Sequence, residues 1–202
     1  MTHFYNWKNG INEDEMKECV DIIKNGGIVI FPTDTVYGIG CNVFNENAIK
    51  KIFEIKNREY NKPINVLCSN IKDIHNLALE LKEKEKEIID KYMPGACTLI
   101  VNKKKEISNL LTAGLNTVGV RIPDNNIAIE LISKCGIPIA TTSANISGKM
   151  DNVEIGNIFE EFRDKVDIII DGGKSKIGVP STIVEVERDK IKVLRQGNLK
   201  IN

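Results

Sequence analysis

The sequence is poor in the residues that most often carry acid–base and metal chemistry. Among 202 residues there are two histidines, His3 and His75. Neither has a metal-ligand partner at helical spacing or a nucleophile elbow beside it. That argues against a zinc site and against Ser-His-Asp or Cys-His catalysis, and both histidines read as surface residues. Cysteine occurs at Cys19, Cys41, Cys68, Cys97 and Cys135, an odd number with no C-x-x-C pair. That fits a reduced compartment, and Cys41, Cys68 and Cys97, set in or beside apolar segments, read as small core hydrophobes. No run of about 18 apolar residues could span a bilayer, and residues 1–10 lack the basic-then-apolar profile of a signal peptide. The expectation is a cytoplasmic protein with no membrane contact. Charge of one sign is missing too. The 28 Lys plus Arg balance 28 Asp plus Glu, so the chain as a whole has no polyanion-binding signature, which does not exclude a local basic face. Nucleotide fingerprints also fail. Gly38-Ile39-Gly40 meets Val43 where the dinucleotide motif needs glycine, and Gly173-Lys174-Ser175 has Ile168 at the first glycine of a P-loop.

What is present is an alternation of helix and strand. Asn12 is placed to cap a helix that opens on Glu13-Asp14-Glu15, has an apolar stripe of Met16, Cys19, Val20 and Ile23, and ends at Gly26-Gly27. Further helices are expected over 46–57, 71–80, 83–93 and 127–135. Strands are expected over 28–31, 64–68, 97–101, 118–122, 137–141 and 167–170, with a closing hairpin of 182–186 and 190–194 around Arg188-Asp189. No repeat or long linker interrupts them. A chain of this length, 42% hydrophobic, buries enough surface to fold without a disulfide or metal. The reading is α/β: a single domain over 1–202 on a mixed sheet flanked by helices. Glu83-Lys84-Glu85-Lys86-Glu87 reads as a solvated helix face. Lys103-Lys104-Lys105 reads as an exposed loop, with a nucleic-acid patch as the sharper alternative.

Five segments are unusually polar for strand ends. In Phe31-Pro32-Thr33-Asp34-Thr35-Val36-Tyr37-Gly38-Ile39-Gly40 a buried strand runs into hydroxyls, a carboxylate and a phenol. This is either a ligand-facing strand end of an open α/β sheet or a capped turn starting a short helix. Lys56-Asn57-Arg58-Glu59-Tyr60-Asn61-Lys62-Pro63 brings three cations to a helix C-terminus, where they also complement the dipole. In Thr117-Val118-Gly119-Val120-Arg121-Ile122-Pro123, apolar neighbours on both sides make Arg121 a buried arginine. Its anionic partner is then either a protein carboxylate or a ligand carboxylate. Ala140-Thr141-Thr142-Ser143-Ala144-Asn145-Ile146-Ser147-Gly148 opens a strand into hydroxyls and small residues that let backbone N–H groups approach an anion. The fifth joins Gly178-Val179-Pro180-Ser181-Thr182 to Leu194-Arg195-Gln196-Gly197. Together they suggest a polar ligand held by hydroxyls and arginines, without a resident metal.

These stretches carry a resemblance. FPTDTVYGIG from Phe31, KNR at Lys56, MPGACTLIV from Met93, VGVRIPD from Val118, PIATTSANISG from Pro138, DGG at Asp171, PSTIVEV from Pro180 and VLRQG from Val193 resemble the YrdC-like threonylcarbamoyl-adenylate synthases. They span nearly the whole chain, in order. The resemblance implies a twisted mixed sheet with a concave basic face. It also implies the condensation of L-threonine, bicarbonate and ATP to threonylcarbamoyl-adenylate and pyrophosphate. A separate threonylcarbamoyl-transfer complex would then modify tRNA, with direct tRNA binding by the chain itself left open. By the same resemblance, Thr35, Arg121, Thr141 and Ser181 fall on threonine-binding positions. Lys56, Arg58, Lys62, Thr117, Ser143 and Arg195 fall on the ATP side, with Asn145 shaping the pocket. Lys56 and Arg58 carry the catalytic charge neutralisation, and Mg²⁺ is expected to be held by the phosphates of ATP rather than by protein ligands.

The chain departs from the family pattern at several points. The usual K-G-R-P reads Lys56-Asn57-Arg58-Glu59, Leu67 stands where many members have a histidine, and Pro180 replaces a glutamate. Asp151-Asn152-Val153 stands where Ser-Pro-Thr is usual, and the expectation is an exposed turn that swings Asp151 to solvent. Two other function classes fit the same residues: a non-catalytic RNA-binding module using the concave face, and a carbamoyl-adenylate domain of another pathway.

Overall fold

Asparagine side chains start four helices in the computed structural model, which describes residues 1–201. Asn12 accepts backbone N–H groups at the head of α1 (Glu13–Lys24), Asn45 at α2 (Glu46–Lys56), Asn70 at α3 (Ile71–Leu77) and Asn125 at α5 (Asn126–Cys135). Each satisfies N–H donors that a first helical turn leaves unpaired. The remaining helices are α4 (Glu83–Tyr92) and α6 (Ile155–Phe162). Helix α3 stops at Leu77 rather than residue 80, because Ala78 turns extended and bridges to Lys103. No described helix is long and apolar enough to cross a membrane.

Ten strands form one mixed sheet: β1 (His3–Asn6), β2 (Val29–Phe31), β3 (Gly38–Asn42), β4 (Asn65–Leu67), β5 (Cys97–Asn102), β6 (Thr117–Arg121), β7 (Ile139–Ser143), β8 (Ile168–Asp171), β9 (Thr182–Glu187) and β10 (Lys190–Arg195). Their spatial order is β1-β8-β2-β3-β7-β4-β6-β5-β9-β10. The expected α/β mixed sheet is therefore present. Strands β1 and β3 and helix α6 add to the sequence reading. The 32–37 segment bends at residues 34–36 and forms no short helix, and β3 then returns antiparallel to β2 with Ile30 opposite Ile39. The closing hairpin turns at Arg188 and Asp189, both left-handed (φ 50° and 61°), the twist-matching turn of a tight hairpin.

Alternation along the strands distributes the core over both faces. Val29 and Phe31 of β2 and Ile168 and Ile170 of β8 pack with α1 and α5 through Met16, Cys19, Leu131 and Ile132. Ile30, Ile169, Val66, Leu99, Val118, Val120 and Val184 pack on the opposite face with α2, α4 and α6. All five cysteines are buried and unpaired, among them Cys41, Cys68 and Cys97, which the sequence reads as small core hydrophobes. The α1–α5 layer covers the β1-to-β7 half of its face, and the other half is the floor of a cavity.

Candidate functional site

The cavity follows from that period of two. In β5, Cys97, Leu99 and Val101 enter the core while Thr98 and Ile100 face the opening. In β6, Val118 and Val120 go inward while Thr117, Gly119 and Arg121 face it, and in β9 Val184 and Val186 are core while Ile183 and Glu185 face it. Added walls come from Thr33 and residues 35–38, from residues 141–143 of β7, from Arg58 and residues 61–63, and from Leu194 and Arg195 of β10. The resulting cavity holds about 690 Å³. Every site residue expected from the sequence lines it except Lys56 and Asn145.

Two glycines permit the close approaches. A Cβ on Gly119 would stand 2.3 Å from Asn65 Oδ1, on the floor itself. A Cβ on Gly197 would stand 2.2 Å from the Pro180 carbonyl oxygen. Only glycine lets the 195–197 segment lie on Pro180–Thr182, where Arg195 donates from Nη2 to the Ser181 carbonyl at 2.8 Å and to Ser181 Oγ at 3.3 Å.

Arg121 has a protein carboxylate for its partner. It is 5% exposed. Its Nη2 pairs with Asp34 Oδ1, Nη1 donates to Thr35 Oγ1 at 2.8 Å, and Nε donates to Gly95 O at 2.8 Å. A guanidinium has five N–H donors, so two remain for a ligand in the cavity that Arg121 lines. Asp34 was absent from the expected site. The signal for it was an arginine in an apolar strand, which demands a carboxylate, and an acid lying among the hydroxyls of another strand end.

Arg58 and Arg195 differ from Arg121. Arg58 donates to the Lys62 and Pro63 carbonyls at 3.1 and 2.9 Å, and neither arginine bonds a carboxylate among the described residues. Lys62 also lines the cavity but is paired with Glu59 at 3.3 Å on the exposed side. Asn57 explains how the altered loop keeps its shape. It closes α2 in the left-handed conformation (φ 51°), which asparagine tolerates better than other residues with a Cβ.

Lys56 sits behind the cavity wall. It is 1% exposed, and its ammonium donates to Ser143 O, Asn145 O and Asn145 Oδ1. Burial, reinforced by Arg58, pushes it down to about 7, while Asp151 and Glu161 pull it up. Asn145 completes the arrangement, accepting from Ser143 Oγ at 2.6 Å and donating to Lys149 O at 2.7 Å. Lys56 and Asn145 therefore fix the turn that presents Ser143. Asp151 corrects the sequence reading: it is half-buried and lines the cavity. Its loop is pinned by Asn152, which donates to Ala144 O at 2.6 Å and accepts Tyr37 N–H at 3.0 Å. With Glu185 it interleaves acid among the cations, so the cavity is not uniformly basic.

The lysine loop offers no comparable site. A surface cleft of about 740 Å³ runs beside it, but Lys103 Nζ is tied to Ile107 O and Asn109 Oδ1, and Lys104 Nζ to His75 O. No group of three or more His, Cys, Asp or Glu among the described residues could hold a metal ion.

Comparison with known proteins matches residues 21–197 to the Sua5, YciO and YrdC family model, described as "Telomere recombination". The threonylcarbamoyl-AMP synthase of Pyrococcus abyssi is 37% identical over 201 residues, all of this chain and 59% of its own length. A Methanocaldococcus jannaschii relative is 42% identical over 195 residues, covering 95% of this chain and 91% of its own. The crystal structure of P. abyssi Sua5 complexed with L-threonine superposes with a TM-score of 0.95 at 37% identity, over 98% of this chain and 58% of that one. The chain thus spans somewhat more than half of the P. abyssi protein.

Proposed function

The chain belongs to the Sua5, YciO and YrdC family, and from that premise we propose that it is an L-threonylcarbamoyladenylate synthase, a nucleotidyltransferase acting on L-threonine, bicarbonate and ATP. The observation that carries this reading is the cavity itself. Hydroxyls and arginines from segments far apart in sequence line a single site beside the α1–α5 layer, and the solved relative of like fold is a threonine complex.

In this reading the carboxylate of threonine meets the two remaining N–H groups of Arg121, beside Ser181. Its amine meets Thr35 and Thr141. The unprotonated amine condenses with bicarbonate with loss of water, or adds to CO₂ with loss of a proton, to give a carbamate. A carbamate oxygen then attacks the α-phosphate, and pyrophosphate leaves. Such a transfer needs positioning and charge neutralisation more than acid–base groups, which suits a cavity without histidine. Arg58, Lys62 and Arg195 face the phosphates, with Thr117 and Ser143 beside them. Lys56 and Asn145 hold the Ser143 turn rather than touching the nucleotide. Mg²⁺, bound by the phosphates of ATP rather than by a protein cage, would supply further charge neutralisation, while Asp151 at the cavity wall opposes the phosphate charge. The exposed Leu115 and Leu194 at the rim, with Pro63 and Ile183, offer an apolar wall for a base. The product would pass to a threonylcarbamoyl-transfer complex for tRNA modification, in the cytoplasm.

The test is pyrophosphate release with each substrate omitted in turn. Release that needs both threonine and bicarbonate supports the proposal. Release without threonine, or salt-sensitive RNA binding with no release, refutes it.

A further inference from the structure

The cavity holds three arginines, but only one of them has its charge cancelled. We propose that Asp34 is a specificity-determining residue that makes the amino-acid subsite electroneutral, so that it selects a zwitterion and rejects a ligand bringing a carboxylate alone. This rests on the assignment of Thr35, Arg121 and Thr141 to the amino acid.

The first support is the buried pair. Asp34 is 2% exposed and does not line the cavity, yet it meets the Arg121 guanidinium directly. Its second oxygen, Oδ2, has no hydrogen-bond partner among the described residues, so no other group of the chain neutralises it. Arg121 therefore presents N–H donors without net positive charge. Arg58 and Arg195 bond backbone carbonyls and a hydroxyl instead, and so keep their charge for an anion. A single cavity thus contains two electrostatically different regions.

The second support is the direction of the hydroxyl protons. Thr33 Oγ1 donates to Val36 O at 2.6 Å, so its only proton is committed. Its 3.0 Å contact with Thr35 Oγ1 must then be donated by Thr35. Thr35 also accepts from Arg121, and what remains facing the cavity is a lone pair. Thr141 Oγ1 donates to Ile139 O at 3.0 Å and likewise offers only acceptor capacity. Acceptor-only hydroxyls oppose a carboxylate oxygen and favour the N–H of an amine. Asp34 adds a negative field from behind the same wall. An amino acid satisfies both halves of this arrangement, whereas a hydroxy acid satisfies one.

The experiment titrates the protein, without ATP, with L-threonine and with (R)-3-hydroxybutyrate, which is threonine lacking its ammonium. Wild type and Asp34→Asn are compared by calorimetry, with melting temperatures recorded alongside. The wild type should prefer threonine by about a hundredfold or more, and the variant should lose at least about tenfold of that preference. A ratio within about twofold of wild type overturns the proposal, since loss of packing alone would weaken both ligands together. Should the variant fail to fold, the wild-type ratio still decides: hydroxybutyrate binding as tightly as threonine overturns it. Absence of binding by either ligand to wild type would instead overturn the threonine assignment itself.

Discussion

Replacing Lys56 by methionine removes an ammonium that is 1% exposed while keeping an unbranched stem of similar length. Burial, with Arg58 adding to it and Asp151 and Glu161 opposing, pushes this group from 10.5 down to about 7. Below pH 7 that displacement amounts to about 5 kcal/mol against the folded, charged state. Three hydrogen bonds from the charged donor to Ser143 O, Asn145 O and Asn145 Oδ1 work the other way, at roughly 1.5–3 kcal/mol each. The two contributions nearly offset, so the methionine variant should lose only about 2 kcal/mol, some 4–8 °C in a chain of this size. Function should suffer far more. The Asn145 carbonyl loses its donor, and the turn presenting Ser143 is no longer fixed. Misplacement by about 1 Å costs on the order of a hundredfold in rate. The pH dependence has a definite sign. The unfolded lysine holds its proton up to 10.5 and the folded one only to about 7, so the unfolded state binds more protons between these values. Through this group stability is lowest below pH 7 and rises from 7 to 10.5. The wild type's melting temperature should therefore gain on the variant's across that window. Thermal melts from pH 6 to 10 and pyrophosphate release at pH 7 check both parts. A variant with near wild-type turnover, or a melting gap that does not change with pH, would refute this account of Lys56.

Three further outcomes are expected. Arg121→Met leaves Asp34 buried without its partner and should cost about 3–5 kcal/mol. Adding Asp34→Asn should recover most of that stability in urea titrations but none of the threonine binding, and a double variant that binds threonine would exclude Arg121 from the subsite. Asp151→Asn removes a carboxylate from a cavity that also holds Arg58 and Arg195, so metal-free pyrophosphate should bind roughly three- to tenfold more tightly. Binding that instead weakens, and only with Mg²⁺ present, would make Asp151 a metal ligand. Converting Arg188-Asp189, both left-handed, to Asn-Gly should stabilise the hairpin by about 1 kcal/mol, and an unchanged urea midpoint would show that the turn carries no such strain.

Periodicity made the buried strands legible. Residues 29–31 and 168–170 are continuous apolar runs because helices cover both faces there, and the Asn12 cap with its acidic turn marks α1 without ambiguity. The strands that escaped are those whose residues give no such signal. Gly38-Ile39-Gly40-Cys41-Asn42 forms β3, although glycine is a poor strand former, because the sheet needs those positions bare. A Cβ on Gly38 or Gly40 would come within 2.7 Å of side-chain atoms of β7. Strand β1 is four residues at an edge, mostly exposed, and has no apolar alternation to read. Helix α6 follows a polar loop and starts without a side-chain cap, so the stop and start signals that located the other helices are absent.

The site divides along a similar line. Residues that line the cavity sit in polar stretches at strand ends or, for Arg58, after a helix, and Thr35, Arg58, Arg121, Thr141, Ser143, Ser181 and Arg195 all lie in stretches picked out in the sequence. What the sequence does not encode locally is which of them are already engaged with one another. Lys56 and Arg58 look alike in a run of cations, yet helix α2 turns one inward under the Ser143–Asn145 turn and leaves the other at the wall. Lys56 is the last residue of α2, and the left-handed Asn57 (φ 51°) breaks the helical path, so Arg58 leaves in a direction that the helix period does not set. Arg121 and Asp34 lie on strand ends separated by 87 positions and become neighbours only when β6 and the 32–37 segment close on the same cavity. Their pairing changes the chemistry of the site more than any single residue does, since it decides whether an arginine acts as a charge or as a set of neutral donors.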